Sequence, residues 1–492
     1  MLYRYATRMG FVSSGLWADL TVFPDCASVS AYALEAMQWA VGSGLMQGMD
    51  GKLNPQGTAT RAQVATILQR LCQTWALLPQ NDLSGVLTAL QTTHQSHTHD
   101  YTYTDNNDGT HTATCFCGET KTSAHSIAWD EKTCICGYTV EPWSGTSAPE
   151  AELTLRIEND GWVYDEERDT KGDVIRIYTA EELAAYAKYV NEGHSAVTDK
   201  VLLMNDLNLG GIDWTPIGTA EHPFRARIFD GQGHTIYNLC CNGGAKNPKD
   251  LTAVNQGLFG VTFTNGNVIE IMNLNLHNAD VYAKNSAGAL IGCLDTEMSS
   301  YWKAGYTGVH HINLTGKVTI EGGNSGGLVG SPVGHWALQT GFKFITIDAD
   351  EGSCLSNITA REKSGSGVGG ALGGVVAVAA WDRGSNDITS NLDVIGAAGN
   401  VGGIVGIGNQ YWENISCTCD VTVKGVTPTA SGKYNYGLAI GGFVSVWDHS
   451  DMTAARRASI SATGTLRLEL KDDGGVLFTN GQNTNAIGEF IW

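Results

Sequence analysis

Between residues 238 and 445 an asparagine followed by Leu or Ile alternates with an apolar pair bracketed by glycine. The asparagine steps are Asn238, Asn273, Asn313, Asn357, Asn391 and Asn414. Interleaved with them are Gly257-Leu-Phe-Gly260, Gly288-Ala-Leu-Ile-Gly292, Gly326-Gly-Leu-Val-Gly330, Gly370-Ala-Leu-Gly373, Gly402-Gly-Ile-Val-Gly406 and Gly441-Gly-Phe-Val. Self-similarity on this scale predicts a solenoid, because each unit is too thin to bury its own apolar face and must stack on its neighbours. The pattern leads us to expect a mainly β fold built as a right-handed parallel β-helix over residues 201–492. Its strands would lie about 4.8 Å apart, with apolar side chains inward and asparagines laddering at the turns.

Helical periodicity appears in two other places. Over residues 23–73, Val29, Tyr32, Ala33, Ala36, Ala40 and Val41 follow the i, i+3, i+4 spacing, with Ser28 or Ser30 as N-cap. Gly44 and Gly48 stop that helix, Asp50-Gly51 makes a turn, and Thr60-Arg-Ala-Gln63 is a capping box for a second helix. A second capping box, Thr179-Ala-Glu-Glu182, opens a helix with Leu183, Tyr186, Ala187 and Val190 on one face. That helix is the expected cap of the solenoid, over residues 153–200, since an open sheet end would pair with other chains. Residues 74–93 and 141–152 read as linkers, the latter on Pro142, Gly145, Ser147 and Pro149.

Composition sharpens this picture. Gly reaches 61 of 492 residues and charged residues only 16%, which suits tight turns repeated around a β architecture. The net charge is −20, while residues 1–72 hold five basic residues against four acidic ones, so the surplus lies downstream and argues against nucleic acid. No apolar run is long enough for a membrane span, and Met1-Leu-Tyr-Arg-Tyr-Ala lacks the apolar core of a signal peptide. That opening aligns instead with Ile67-Leu-Gln-Arg-Leu-Cys72. Residues 1–22 are therefore expected to be the tail of a truncated repeat, which leaves the parent protein's location unspecified by any leader.

The helical unit resembles the S-layer homology family. Phe23-Pro-Asp25, Tyr32-Ala33, Trp39-Ala40, Gly44-Leu-Met-Gln-Gly48, Asp50-Gly51, Pro55 and Thr60-Arg61-Ala-Gln63 fall in the family's order and spacing. The resemblance implies a small all-α unit on a bacterial cell wall, extracellular, binding a pyruvylated secondary wall polysaccharide. By that resemblance Arg61 would offer its planar donors to a pyruvyl carboxylate, with Asp25 and Trp39 lining the sugar contacts. Trp39 also fits as a plain core residue.

Residues 94–140 read as a small Cys/His β segment serving as a spacer. A strand over His99–Asp105, a turn at Asp108-Gly109 and a return strand at His111 precede two copies of one pattern, Cys115-Phe-Cys117-Gly and Cys134-Ile-Cys136-Gly. Each copy is preceded by histidine: His99 or His111 for the first, His125 for the second. Cys115, Cys117, Cys134 and Cys136 could bind a structural zinc, although a single residue between cysteines is tighter than zinc ribbons favour. Two disulfides running between the pairs are the alternative for a secreted protein. The segment resembles a Cys/His repeat of clostridial surface proteins.

Val201-Leu-Leu-Met-Asn-Asp206-Leu-Asn-Leu209, Trp214-Thr-Pro-Ile-Gly218 and Phe224–Ile236, taken with the glycine steps, resemble the GLUG-type β-helix of bacterial adhesins and of immunoglobulin A-cleaving metalloproteases. Arg225-Ala-Arg227 departs from it where the family often has glycine. The resemblance implies adhesion or ligand binding, to host or bacterial surface glycan or protein, through inserted loops. Trp302, Trp336, Trp381 and Trp412 are candidate sugar-stacking residues. No His-Glu-x-x-His occurs, so a protease domain would lie elsewhere in a larger surface protease. Gly323-Asn-Ser325-Gly-Gly327 and Gly365-Ser-Gly367-Val-Gly-Gly370 mimic catalytic or nucleotide loops but overlap rungs. A polysaccharide-acting enzyme would need carboxylates gathered in a groove, and the spacing of Asp206, Asp213, Asp230, Asp280 and Asp295 does not bring them together. No catalytic residue is assigned.

Overall fold

The computed structural model describes residues 2–8, 17–74, 99–295 (apart from 108, 116, 130, 168 and 265–266), 306–330, 339–357, 371–379, 384–397, 400–409, 412–426, 439–441, 444–448, 455, 458–470, 476–478 and 489–490. The fold is mainly β, with a few short helices towards the N-terminus. Among the described residues no helix is long and apolar enough to cross a membrane. Two compact units are present, Met1–Tyr101 with Cys115–Glu119, and Thr102–Thr114 with Thr120–Trp492.

In the first unit, helices Leu2–Arg8, Leu34–Gly42 and Arg61–Thr74 gather around buried Ala6, Trp39, Leu45 and Leu71. The short helix at the start supplies Tyr3, whose ring lies 5.5 Å from that of Trp39. The capping box at Thr60 forms: Thr60 N–H donates to Gln63 Oε1 at 2.8 Å and Gln63 N–H to Thr60 Oγ1 at 3.3 Å. The middle helix begins later than its periodicity predicts. Ser30 opens only a 3-10 turn, Ala31–Ala33, without a side-chain cap bond, and Tyr32 is left 91% exposed. Gly48 sits at φ +74, and a Cβ there would press on the Lys52 carbonyl, so glycine is required.

In the second unit strand residues 102–105, 110–114 and 120–124 precede the helix Glu150–Leu155 and the antiparallel pair Ile157–Asp165 and Thr170–Ile177. Helix Ala180–Asn191 then buries Leu183, Tyr186, Ala187 and Val190. Its cap is a variant of the box: Thr179 Oγ1 accepts from Glu182 N–H, while the Glu182 carboxylate takes Tyr178 N–H at 2.7 Å and Arg156 Nε at 2.6 Å.

Beyond it strands pair in parallel with strands one rung on, except at the end, where Leu466–Leu470 pairs with Val476–Phe478 and Ala439–Gly441 with Glu489–Phe490 antiparallel, against the expectation of a parallel stack up to residue 492. Ile175, Val201, Phe229, Ile271, Val309 and Phe342 lie in one register column, and Leu274, Ile312, Ile345, Ile388, Ile415 and Ile460 in another, all buried. The glycine steps form a further column, Ile217, Phe259, Ile291, Val329, Val376, Val405 and Val444. Glycine is needed there because successive backbones approach too closely for a side chain: a Cβ on Gly327 would collide with the Gly374 carbonyl, and one on Gly374 with that of Gly403.

The asparagine steps behave differently from the expected single ladder. One residue per rung adopts left-handed φ at a shared bend: Asn273, His311, Phe344, Asp387 and Asn414, at +54° to +57°. Only two of these are the expected asparagines. Asn238 belongs to a second left-handed position shared with Asn278, and Asn313, inside a strand, donates its side-chain amide to Asn275 of the adjoining strand at 2.8 Å. Asparagine tolerates αL better than other side chains, but the stack enforces the bend on His and Phe as well.

Candidate functional site

Both Cys-x-Cys-Gly copies fold into the same turn. Gly118 N–H donates to Cys115 O at 2.9 Å and Cys115 N–H to Glu119 O at 2.9 Å; Gly137 N–H donates to Cys134 O and Cys134 N–H to Tyr138 O, each at 2.8 Å. Gly118 and Gly137 stand at φ +92 and +94, the left-handed position that closes such a hairpin.

In the first unit the ligand atoms of His99, Cys115 and Cys117 lie within 4.8 Å of one another. Cys117 Sγ is 3.6 Å from His99 Nδ1, and His99 Nε2 is 2.9 Å from Glu119 Oε2. Tyr101 stacks on His99 and donates its hydroxyl to Glu119 Oε1 at 3.0 Å.

In the second unit His111, His125 and Cys136 lie equally close together. Cys134 Sγ is 3.4 Å from His111 Nδ1, and His111 Nε2 is 3.1 Å from Ser123 Oγ. His125 is 2% exposed, its ring between His111 at 5.8 Å and Tyr138 at 4.1 Å. Neither of its ring nitrogens makes a hydrogen bond, although Asp105 Oδ1 stands 3.3 Å from Nε2. Burial lowers the pKa of His111, assisted by the neighbouring His125 and opposed by Asp105. Burial likewise raises that of the Cys136 thiol. All four repeat cysteines are thiols here.

This second cluster is anchored to the rungs. Tyr138 donates its hydroxyl to Asp206 Oδ2 at 2.9 Å, and Asp206 Oδ1 accepts from Thr235 N–H. Buried asparagines complete the seam: Asn208 Nδ2 donates to Glu131 O, Asn238 Nδ2 to Ala128 O and Asn278 Nδ2 to Ile127 O. Ile127, Cys134 and Tyr237 form a small apolar cluster with Cys136, Tyr138 and Val140 against it. Sequence reasoning missed Ser123, Asp105, Tyr138 and the Asn208 and Asn278 anchors. The duplicated Thr-Cys-x-Cys-Gly was the available signal for two separate clusters.

Of the residues expected to contact wall polysaccharide, only Arg61 is exposed, at a helix start. Trp39 is 1% exposed and belongs to the core. Asp25 accepts Leu53 N–H at 2.9 Å and Asn54 N–H at 2.7 Å, so it fixes the turn at Asn54 (φ +49). Those backbone bonds hold its carboxyl below the usual range, the bond from Leu53 most. Trp302, Trp336 and Trp381 lie outside the described residues. Trp412 is fully buried, stacked towards Phe342 at 6.3 Å across Ser385, and a ligand cannot reach it in this position.

The scattered aspartates serve turns. Asp213 accepts from Gly243 N–H, Asp230 from Gln232 N–H and Asn273, and Asp280 from Ala245 N–H. Cys417 and Cys419 are both buried and joined to each other as a disulfide.

Comparison with known proteins gives three results. The S-layer homology domain family matches residues 22–65, which points to association with the cell surface or cell wall. No curated protein sequence matches the chain. Among solved structures the chain is similar to a Bacteroides ovatus protein described as a "putative immunoglobulin A1 protease", at 18% identity and a TM-score of 0.39, over 64% of this chain and 85% of that one.

Proposed function

We propose that the chain is the wall-side part of a bacterial surface protein whose stacked rungs form a right-handed parallel β-helix of the GLUG type, and that its work is to bind a surface glycan or protein rather than to transform it. The observation that carries this reading is the conjunction of an S-layer homology unit at residues 22–65 with in-register parallel columns running from Ile217 to Val444. A stack of this kind offers inserted loops as its contact surface. The loop 245–255 is an example. It is held by Asn242, whose side chain bonds both Asp250 O and Asp250 N–H, and it presents Leu251 and Val254 at 43% and 42% exposure. Arg61, exposed at its helix start, is the residue suited to a pyruvyl carboxylate.

The wall half of this reading is tested by retention of the full chain on purified secondary wall polysaccharide, before and after removal of its pyruvyl groups. Retention that falls about tenfold or more on depyruvylation, and equally in Arg61→Ala, is the expected result, since one charge-assisted pair contributes about 1.5–3 kcal/mol. Equal retention with and without pyruvyl would remove Arg61 from the account.

A further inference from the structure

We propose that His111, His125, Cys134 and Cys136 form a closed, tetrahedral Zn²⁺ site of their own, independent of Cys115 and Cys117. Two thiolates and two imidazoles are a donor set of structural zinc, and they would neutralise the ion's charge in a buried place. The spacing fits. With bonds of about 2.3 Å to sulfur and about 2.0 Å to nitrogen, the edge of a tetrahedron is roughly 3.5 Å, and Cys134 Sγ stands 3.4 Å from His111 Nδ1. His125 provides the second, independent observation. It is a buried imidazole whose Nε2 faces Asp105 Oδ1 at 3.3 Å and whose Nδ1 makes no hydrogen bond, which is costly unless another partner takes that lone pair.

The surrounding groups orient the ligands as metal sites require. Ser123 Oγ occupies His111 Nε2 and leaves Nδ1 towards the sulfur, while the Asp105 carboxylate beside His125 Nε2 leaves its Nδ1 for the ion. The site also has a structural task. Its ligands come from the strands Thr110–Cys115 and Thr120–Ala124, or the residue after them, and from the turn at Cys134–Gly137, a segment with almost no core of its own. Zinc would lock that turn so that Tyr138 reaches Asp206 and the asparagine seam finds its carbonyls.

The test is Co²⁺ titration of the reduced full chain, reading d–d and sulfur-to-cobalt charge-transfer bands, followed by displacement with Zn²⁺. In Cys115→Ser/Cys117→Ser one equivalent should still bind with the bands of a mixed sulfur and nitrogen site. Adding His125→Asn, or Cys134→Ser/Cys136→Ser, to that background should abolish it, and Ser123→Ala should weaken it by about 10–100-fold. Because a ligand variant could fail through misfolding, alkylation gives a second readout: Zn²⁺ should protect Cys134 and Cys136 in Cys115→Ser/Cys117→Ser. Loss of all binding and protection in that variant would establish a shared four-thiol site and overturn the proposal. So would disulfides between the two pairs in the purified chain, binding unaffected by His125→Asn, or no uptake at all.

Discussion

Asn278 donates its side-chain amide to Asn238 Oδ1 at 2.8 Å, and Asn238 in turn donates to Asn208 Oδ1 at 2.9 Å. Each also reaches a carbonyl of residues 127–131 or 140, so the ladder inside the rungs is continuous with the seam that holds the Cys/His segment. Asn238→Gly should therefore cost about 1–3 kcal/mol, because its partners are left buried and unpaired. Asn238→Ala should cost about 1 kcal/mol more, since φ is +60 there. Denaturant unfolding measures both, and amide exchange should accelerate at residues 127–131. An alanine variant no worse than glycine would contradict the argument from backbone conformation.

The glycine column makes a separate prediction. Gly374→Ala drives a methyl into the Gly403 carbonyl of the adjoining rung and should destabilise by about 1–3 kcal/mol or more. Gly233→Ala, with left-handed φ and open space around it, should lose only the conformational part. Thermal unfolding of the two variants side by side separates collision from φ.

Asp199, 4% exposed, has its pKa raised to about 6 by burial, with Asp173 adding to the rise and the bond from Ala196 N–H opposing it. A carboxyl whose folded pKa exceeds its unfolded value contributes stability below the unfolded pKa, and that contribution is lost as pH rises through the folded one. Relative to Asp199→Asn, the natural chain should therefore lose stability between about pH 4 and pH 6, by up to about 3 kcal/mol for a shift of this size. Unfolding free energies of both proteins across that range check the sign. A difference that is flat with pH would show that Asp199 is not shifted.

Burial separates two kinds of apolar residue on the rungs. Trp412→Ala should cost about 3–5 kcal/mol, as deletion of a packed aromatic does. Leu251→Ala with Val254→Ala, on the exposed loop, should leave unfolding nearly unchanged and reduce ligand retention. The comparison asks whether binding follows the loops or the core.

Much of the stacking was legible because glycine is a direct report of backbone proximity: wherever a Cβ cannot fit, the residue type declares it, and Gly327 and Gly374 do so. The capping boxes at Thr60 and Thr179 were legible for a similar reason, since each hydroxyl satisfies a donor three residues on. The asparagine steps were only half legible. The bend at Asn273 is imposed by the stack, which places His311 and Phe344 in the same conformation, so the residue type understates the pattern. Trp39 read as a sugar contact or as core and Trp412 as a candidate sugar platform, because a large ring suits both uses, and burial is what distinguishes them. The partition of histidines between the two thiol pairs depends on how the short strands fold over one another, which spacing does not encode. The turn-fixing use of Asp25 by Leu53 and Asn54 was not legible, because it spans a separation that local pattern does not carry.

The most direct test of the central claim is incubation of the full chain with a panel of host and bacterial surface glycans and proteins, reading retention together with the mass of the ligand. The account predicts retention of at least one ligand class with its mass unchanged and with dependence on Leu251 and Val254. Shortened glycan or peptide, or retention of none, would contradict it.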